Sequence, residues 1–242
     1  MFCHIIGYPL NKPRSVPLWK KFFNKKKLKI SMSELEIEPK NFNLKIKQLL
    51  KNKFFLASAI TMPYKKKIVS KINFGNKISK YSNSINLIIK NKNNLIGYNT
   101  DVVGAISSVK KIKKKNIMIF GLGGTGKAIL KVFSNLYKNS NFICISSKKQ
   151  KELGKKIIIK KKIYKEDIEN IDLFINCSPL GSNLSKKYIF LSPLNEELIK
   201  STKSKLTIFD IVYKPKVTKL NKLSKKYKRN YFNGLNMNTV QA

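Results

Sequence analysis

The sequence predicts an α/β protein built from two halves that meet near residue 100. Three observations carry this reading. Short apolar runs alternate with amphipathic, lysine-rich stretches along the whole chain, the pattern of repeated βα units around parallel strands. A glycine loop, Gly121-Leu122-Gly123-Gly124-Thr125-Gly126, directly follows one apolar run and opens a helical stretch. Hydrophobic residues make up 42% of the 242, enough to build a core in one or two domains.

The elements follow in order. Residues 3–6 read as a buried strand stopped by Gly7. Residues 16–23 carry Leu18, Trp19, Phe22 and Phe23 at helical spacing. Residues 28–35 are strand-like, and 39–50 are helical with Phe42, Ile46, Leu49 and Leu50 on one face. A strand at 54–60 follows, and Pro63 suits the first turn of a next helix, which places Lys65 in that turn. Residues 85–89 read as strand, with 95–96 as an antiparallel neighbour across 91–94. Thr100 or Asp101 then caps a helix to about residue 111. After the basic stretch 113–115 come strand 117–120 and helix 125–137. Strand 142–145, helix 148–155 and strands 157–159 and 171–176 come next. Helix 193–200, strand 206–209, helix 217–227 and strand 230–232 complete the order.

Charge is the loudest feature and carries little function. Lys plus Arg is 51 against 12 acids, a formal charge of +39. Only Arg14 and Arg229 are arginine, so the excess is lysine, spread along the chain. Nucleic-acid recognition favours arginine forks and clustered patches, and neither is present. Abundant Lys, Asn and Ile fit drift in an AT-rich genome, and the field still favours small anions. Cys3, Cys144 and Cys177 are odd in number and far apart, which gives neither a disulfide framework nor a thiolate metal site. His4 is the single histidine, so multi-histidine metal chemistry is excluded. No apolar run reaches the ~18 residues of a membrane span, and residues 1–7 do not read as a signal peptide. A reduced, cytoplasmic compartment is the expectation.

The glycine loop has two readings. As G-x-G-x-x-G, its first glycine allows the tight turn, its second lets backbone approach a pyrophosphate, and its third lets helix and strand pack closely. The helix N-terminus then offers free N–H groups to phosphate. Gly121 to Lys127 also nearly spells a P-loop, but Ala128 stands where a metal-holding hydroxyl belongs. Asp172 precedes its strand and Asp210 closes another, so an acid for that reading is doubtful. The dinucleotide reading is favoured. An NAD site wants an acid at the end of the next strand, roughly 20 residues on. Ser146, Ser147, Lys148 and Lys149 stand there instead, with Lys151 close by, and suit the 2′-phosphate of NADP.

One carboxylate is isolated. Between Glu38 and Glu152 the only acid is Asp101, at the start of a helix. It reads as a helix cap or as the partner of an acid–base lysine. Residue types leave Lys65, Lys66 and Lys67 as rivals; Lys65 follows the strand end at Thr61, where α/β proteins place ligands.

Eight segments stand in order from residue 3 to the last residue. They are Gly7-Tyr8-Pro9-Leu10 leading to Pro13-Arg14-Ser15, Ala59 to Lys65, Ser84 to Leu87, and Gly97 to Asp101. They continue with Gly121 to Gly126, Asn176 to Gly181, Asp210/Tyr213/Pro215/Thr218, and Gly234/Leu235/Met237/Gln241/Ala242. Together these segments resemble the shikimate dehydrogenase family, and the resemblance implies two domains. Residues 1–100, with 233–242 returning to them, form an α/β substrate domain, and 101–232 form a Rossmann-like, doubly wound NADP-binding domain. It implies NADP-linked interconversion of 3-dehydroshikimate and shikimate, in aromatic amino acid and chorismate biosynthesis. The family's catalytic lysine and aspartate fall on Lys65 and Asp101. Its substrate contacts fall on Ser15, Thr61, Asn86, Tyr213 and Gln241. Gly121, Gly123, Gly124, Thr125, Gly126, Ser147, Lys148, Lys149 and Gly234 are the expected NADP(H) contacts, with no metal. A quinate-type dehydrogenase and an inactive remnant acting as a basic binding protein are the alternatives. The expected partner is a small-molecule substrate, with neither nucleic acid nor membrane, in a monomer or homodimer.

This chain departs from the family pattern at several points. Pro13 replaces the first of two paired serines, and Arg14 or Lys12 is the expected substitute for its contact with a carboxylate. Ala59 replaces an asparagine, Leu87 a threonine, and Ser147-Lys148 the usual Asn-Arg. Relatives continue into a further helix beyond the position of Ala242.

Overall fold

A computed structural model describes residues 1–109, 112, 115–148, 156–235 and 237. The chain divides into two compact units, the first Met1–Val103 and the second beginning at Gly104.

The first unit opens with β1 (Phe2–Gly7), α1 (Ser15–Lys25), β2 (Ser31–Glu36), α2 (Phe42–Lys51) and β3 (Phe55–Ile60). It continues with β4 (Asn73–Phe74), α3 (Lys77–Ser82), β5 (Leu87–Asn91) and β6 (Asn94–Tyr98). The six strands form one sheet in the order β2-β1-β3-β5-β6-β4. It is mixed rather than parallel: β5 runs antiparallel to both β3 and β6. The short turn between β5 and β6 permits only an antiparallel pair. Alternation along β1 sends Cys3 and Ile5 to the face covered by Phe23 of α1. Ile6 turns the other way, to Phe42 and Ile46 of α2.

The second unit holds a sheet in the order β12-β11-β10-β7-β8-β9, every pair parallel. Its elements are β7 (Asn116–Phe120), α5 (Gly124–Leu136), β8 (Asn141–Ile145), β9 (Ile157–Lys160), α6 (Lys165–Ile168) and β10 (Leu173–Asn176). Then come α7 (Glu196–Ser201), β11 (Thr207–Asp210), α8 (Lys219–Lys226) and β12 (Asn230–Asn233). From β7 outward the order reverses on either side, which is the doubly wound arrangement with its switch point beside β7. All four residues of β10 and of β11 are buried, as strands covered on both faces must be.

Helix α4 (Thr100–Val109) contains the boundary between the units. Asn233–Leu235 and Met237 fall within the second unit, where Gly234 sits so close to Ile211 that a Cβ would come 2.1 Å from its carbonyl oxygen. The remaining residues of the expected C-terminal return lie outside those described, as do all but the first residue of the helix expected at 148–155, the end of the helix expected to 111, and most of 113–115.

Candidate active site

At the C-terminal end of β3 the chain does not enter a helix at Pro63. Residues 62–66 form turns, and a short 3-10 segment follows at Lys67–Lys71. The reason is tertiary. The Lys65 carbonyl accepts from the Ile85 N–H at 2.7 Å, so it is not available to a helical ladder. Tyr64 anchors the turn. It is fully buried, stacks on Phe42 at 4.1 Å between ring centroids, and its hydroxyl donates to the Ile37 carbonyl. A rigid core residue thus precedes Lys65, whose side chain emerges from a fixed backbone.

Lys65 Nζ donates to Asp101 Oδ2 at 2.6 Å. The side chains keep 29% and 12% of their exposure, so the pair is shielded yet reachable. Among the described residues Asp101 is the only hydrogen-bond partner of that ammonium, which leaves donors over. Lys66 is exposed, and Lys67 is held elsewhere, with Nζ donating to the Pro39 carbonyl at 3.1 Å.

Neither Thr100 nor Asp101 caps α4. The Asn99 side chain does: its Oδ1 accepts from the Val102 N–H at 3.0 Å, and its Nδ2 donates to the Ser84 carbonyl at 2.7 Å. Asn99 is the better cap because it lies just before the first helical residue. Asp101 is thereby released from capping. Its Oδ2 meets Lys65 and its Oδ1 accepts from Asn86 Nδ2 at 2.9 Å.

Asn86 is saturated within the chain. Its Nδ2 donates to Asp101 and to Thr100 Oγ1, both at 2.9 Å, while its Oδ1 accepts from the Thr100 N–H at 2.7 Å. The hydroxyls of Ser15, first residue of α1, and of Thr61 make no hydrogen bond among the described residues. Thr61 is fixed through its backbone, N–H to the Ile6 carbonyl at 2.9 Å. The structure therefore brings Thr61, Lys65, Asn86 and Asp101 to one end of the first sheet. Ser15 lies in the same unit, and Tyr213 lies in the second unit after β11. Arg14 precedes α1, and Lys12 takes the left-handed backbone conformation at φ 41°. Gln241 lies outside the described residues.

In the second unit the glycine loop bridges β7 and α5 at the switch point. Gly121 has φ +97°, open to glycine and strained for other residues. A Cβ on Gly126 would stand 1.9 Å from the Gly121 carbonyl oxygen, so the third glycine is required by close packing. Around Gly123 and Gly124 a Cβ would meet nothing within 4 Å, which leaves room above the loop. Gly123 precedes α5 without a side-chain cap, so the first-turn N–H groups of Gly124, Thr125 and Gly126 stay open to an anion. These residues fit a pyrophosphate. Ser147 and Lys148 are exposed just past β8, where a 2′-phosphate would be read; Lys149 lies outside the described residues.

The P-loop reading fails on geometry. Ala128 is buried, and Asp172 sits at the opposite end of the sheet from the glycine loop, on Lys203 Nζ at 2.5 Å and the Asn116 N–H at 2.9 Å. Thiol chemistry is also unsupported. All three cysteines are buried, and burial pushes the Cys144 thiol up to about 12 and raises Cys177 as well.

Fold and site together define a two-unit α/β protein with a dinucleotide loop in one unit and a shielded lysine–aspartate pair in the other. A family model described as the shikimate dehydrogenase substrate binding domain matches residues 5–88. A shikimate dehydrogenase (NADP(+)) of Methanosphaera stadtmanae is 30% identical over 239 residues, 92% of this chain and 81% of that protein. One from Clostridium botulinum is 28% identical over 246 residues, 98% and 92% of the two chains. Among solved structures, shikimate dehydrogenase 1 from Peptoclostridium difficile superposes with a TM-score of 0.77 at 25% identity, covering 99% of this chain and 88% of that one. The chain belongs to the shikimate dehydrogenase family.

Proposed function

We propose that this chain is an NADP-dependent shikimate dehydrogenase. It reduces 3-dehydroshikimate to shikimate on the route to chorismate and the aromatic amino acids, and the cytosol is the compartment this reading assigns. The observation that carries it is the 2.6 Å contact between Lys65 and Asp101, beside unengaged hydroxyls and within a chain whose second unit has an open phosphate loop.

NADPH, when bound, supplies the hydride that reduces the ring carbonyl carbon. The first unit manages the oxygen. As negative charge gathers there, Lys65 Nζ donates a proton, and the product is the alcohol. Asp101 keeps the ammonium oriented and takes up a substrate hydroxyl. Thr61 and Ser15 fix the remaining polar groups of the ring acid, since their hydroxyls are not engaged by the described residues. Asn86 contacts substrate only by giving up one of its internal bonds, so its first role is to hold Asp101. In reverse the same lysine accepts the proton, as microscopic reversibility requires. Gly121 through Gly126 hold the pyrophosphate, and Ser147, Lys148 and Lys149 read the 2′-phosphate. Gly234 keeps the segment after β12 close to Ile211.

The test is oxidation of NADPH with 3-dehydroshikimate, run beside NADH and beside dehydroquinate. Turnover with the first pair and little with the others supports the reading. Preference for dehydroquinate points to the quinate-type alternative.

A further inference from the structure

Asp210 is the last residue of β11 and is fully buried, yet among the described residues no cation bonds to it. Its charge is met by four neutral donors. Oδ1 accepts from Asn176 Nδ2 at 2.9 Å and from the Val212 N–H at 3.1 Å. Oδ2 accepts from the Tyr231 hydroxyl at 3.0 Å and from Thr218 Oγ1 at 3.3 Å. The ends of β10 and β11, Tyr231 of β12 and the N-cap of α8 thus converge on one carboxylate.

Asn176 relays the contact. It ends β10, and its Oδ1 accepts from both the N–H and the hydroxyl of Ser178, at 3.0 and 2.7 Å. Its Nδ2 reaches the Leu180 carbonyl at 3.3 Å, and Ser178 Oγ accepts from the Leu180 N–H at 3.3 Å. The turn at 177–180 is therefore pinned by one side chain. That turn lies directly against the glycine loop. A Cβ on Gly121 would come 3.0 Å from the Ser178 nitrogen, and one on Gly126 would come 3.2 Å from the Cys177 Cβ. The Cys177 N–H donates to the Phe120 carbonyl at 2.8 Å, tying the turn to the strand that feeds the loop.

We propose that Asp210 is a positioning residue for cofactor binding: through Asn176 it fixes the 177–180 turn on which the 121–126 loop rests. NADPH affinity then depends on a carboxylate that never touches the cofactor. The inference rests on the NADP reading above.

The experiment measures NADPH dissociation constants by nicotinamide fluorescence, with thermal midpoints and both Michaelis constants. Asp210→Asn keeps the shape but replaces a charged acceptor facing Asn176 with a neutral one, and of its four neighbours only the Thr218 and Tyr231 hydroxyls can accept from the new amide N–H₂. Its NADPH dissociation constant should rise about tenfold, the scale of one or two lost hydrogen bonds, while KM for 3-dehydroshikimate stays put. Asn176→Ala should do the same, and the double variant should be no weaker than either single one, because both break one path. Thr218→Val and Tyr231→Phe remove donors off that path. They should lower the midpoint and leave NADPH affinity unchanged, and they keep the test alive should Asp210→Asn fold poorly. Wild-type affinity in Asp210→Asn overturns the inference. So do losses that multiply in the double variant, or a Thr218→Val effect on NADPH as large as that of Asn176→Ala. A wild-type chain that binds no NADPH overturns the cofactor reading itself, and the inference with it.

Discussion

The amide of Asn86 donates to one oxygen of Asp101 at 2.9 Å and leaves the other to Lys65 at 2.6 Å. The same asparagine accepts from the Thr100 N–H, one of the donors that a helix start leaves unpaired. Asn86→Ala should therefore lower both stability and turnover. With the bond to Thr100 Oγ1, three bonds are lost at a buried site, which costs about 3 kcal/mol and is visible as a fall in the urea midpoint. Turnover should drop about tenfold with KM nearly unchanged, because Asp101 loses its orientation while substrate loses no contact.

Asp101→Asn separates charge from helix start. Asn99 carries the cap, so α4 should survive the change with little loss in thermal midpoint. Turnover should fall steeply, since the ammonium of Lys65 loses its only hydrogen-bonded carboxylate among the described residues. Asn99→Ala should do the reverse. Loss of a cap costs about 1 kcal/mol of stability and should leave kcat within a few-fold of wild type.

The lysines that follow the Thr61 turn differ by geometry. Lys65→Ala should lower kcat by ~10²–10⁴-fold, the usual range for general acid–base catalysis. Lys66→Ala should change little. Lys67→Ala loses a bond to the Pro39 carbonyl and a position 5.2 Å from the Phe42 ring centroid, a stability effect of under about 1 kcal/mol with turnover intact. Steady-state kinetics on the three variants decide this.

Asp210 predicts a pH dependence of folding. Burial outweighs its four donors and raises the carboxyl from 3.8 to about 6. The folded state thus holds a proton that the unfolded chain has already lost, so this group favours folding most below about pH 4. Its contribution falls as pH rises through 4 to 6 and is flat above, a loss of about 3 kcal/mol. The other titratable groups facing it, Tyr231 and Cys177, are both shifted upward and stay neutral in that window. Across pH 4–6.5 the urea midpoint of the wild type should fall relative to that of Asp210→Asn, a comparison that cancels the opposite trends of His4 and Glu196, both lowered from their ordinary values.

Much of the fold was legible in the sequence because burial on both faces writes short apolar runs, as in Ile117-Met118-Ile119-Phe120 and Leu173-Phe174-Ile175. The glycine loop was legible because its residues answer to local backbone demands. Three features were not. The turn after Thr61 is set by Ile85, 20 residues away, and a proline before lysines reads locally as a helix start. The direction of β5 relative to β3 leaves no trace in polarity. The knot around Asp210 gathers side chains from β10, β12 and the start of α8, each unremarkable in its own segment. Asp101 stood out as the lone acid of its region, but its release from capping depended on Asn99, visible only in the structure.

NADP preference has its own signature. Lys148→Ala should reduce the NADPH-over-NADH preference several-fold, and in the wild type the preference should shrink as salt rises from 0.05 to 0.5 M, because exposed lysine contacts are mostly charge. Equal affinities for the two cofactors at low salt would remove Ser147 and Lys148 from the site.

The most direct test follows NADPH oxidation at 340 nm with 3-dehydroshikimate, comparing wild type with Lys65→Ala at equal folded concentration. Rapid, substrate-dependent oxidation by the wild type and a loss of at least ~10²-fold in the variant is the expected result. A wild-type chain that leaves NADPH untouched, or a Lys65→Ala chain that turns over as fast, contradicts the account.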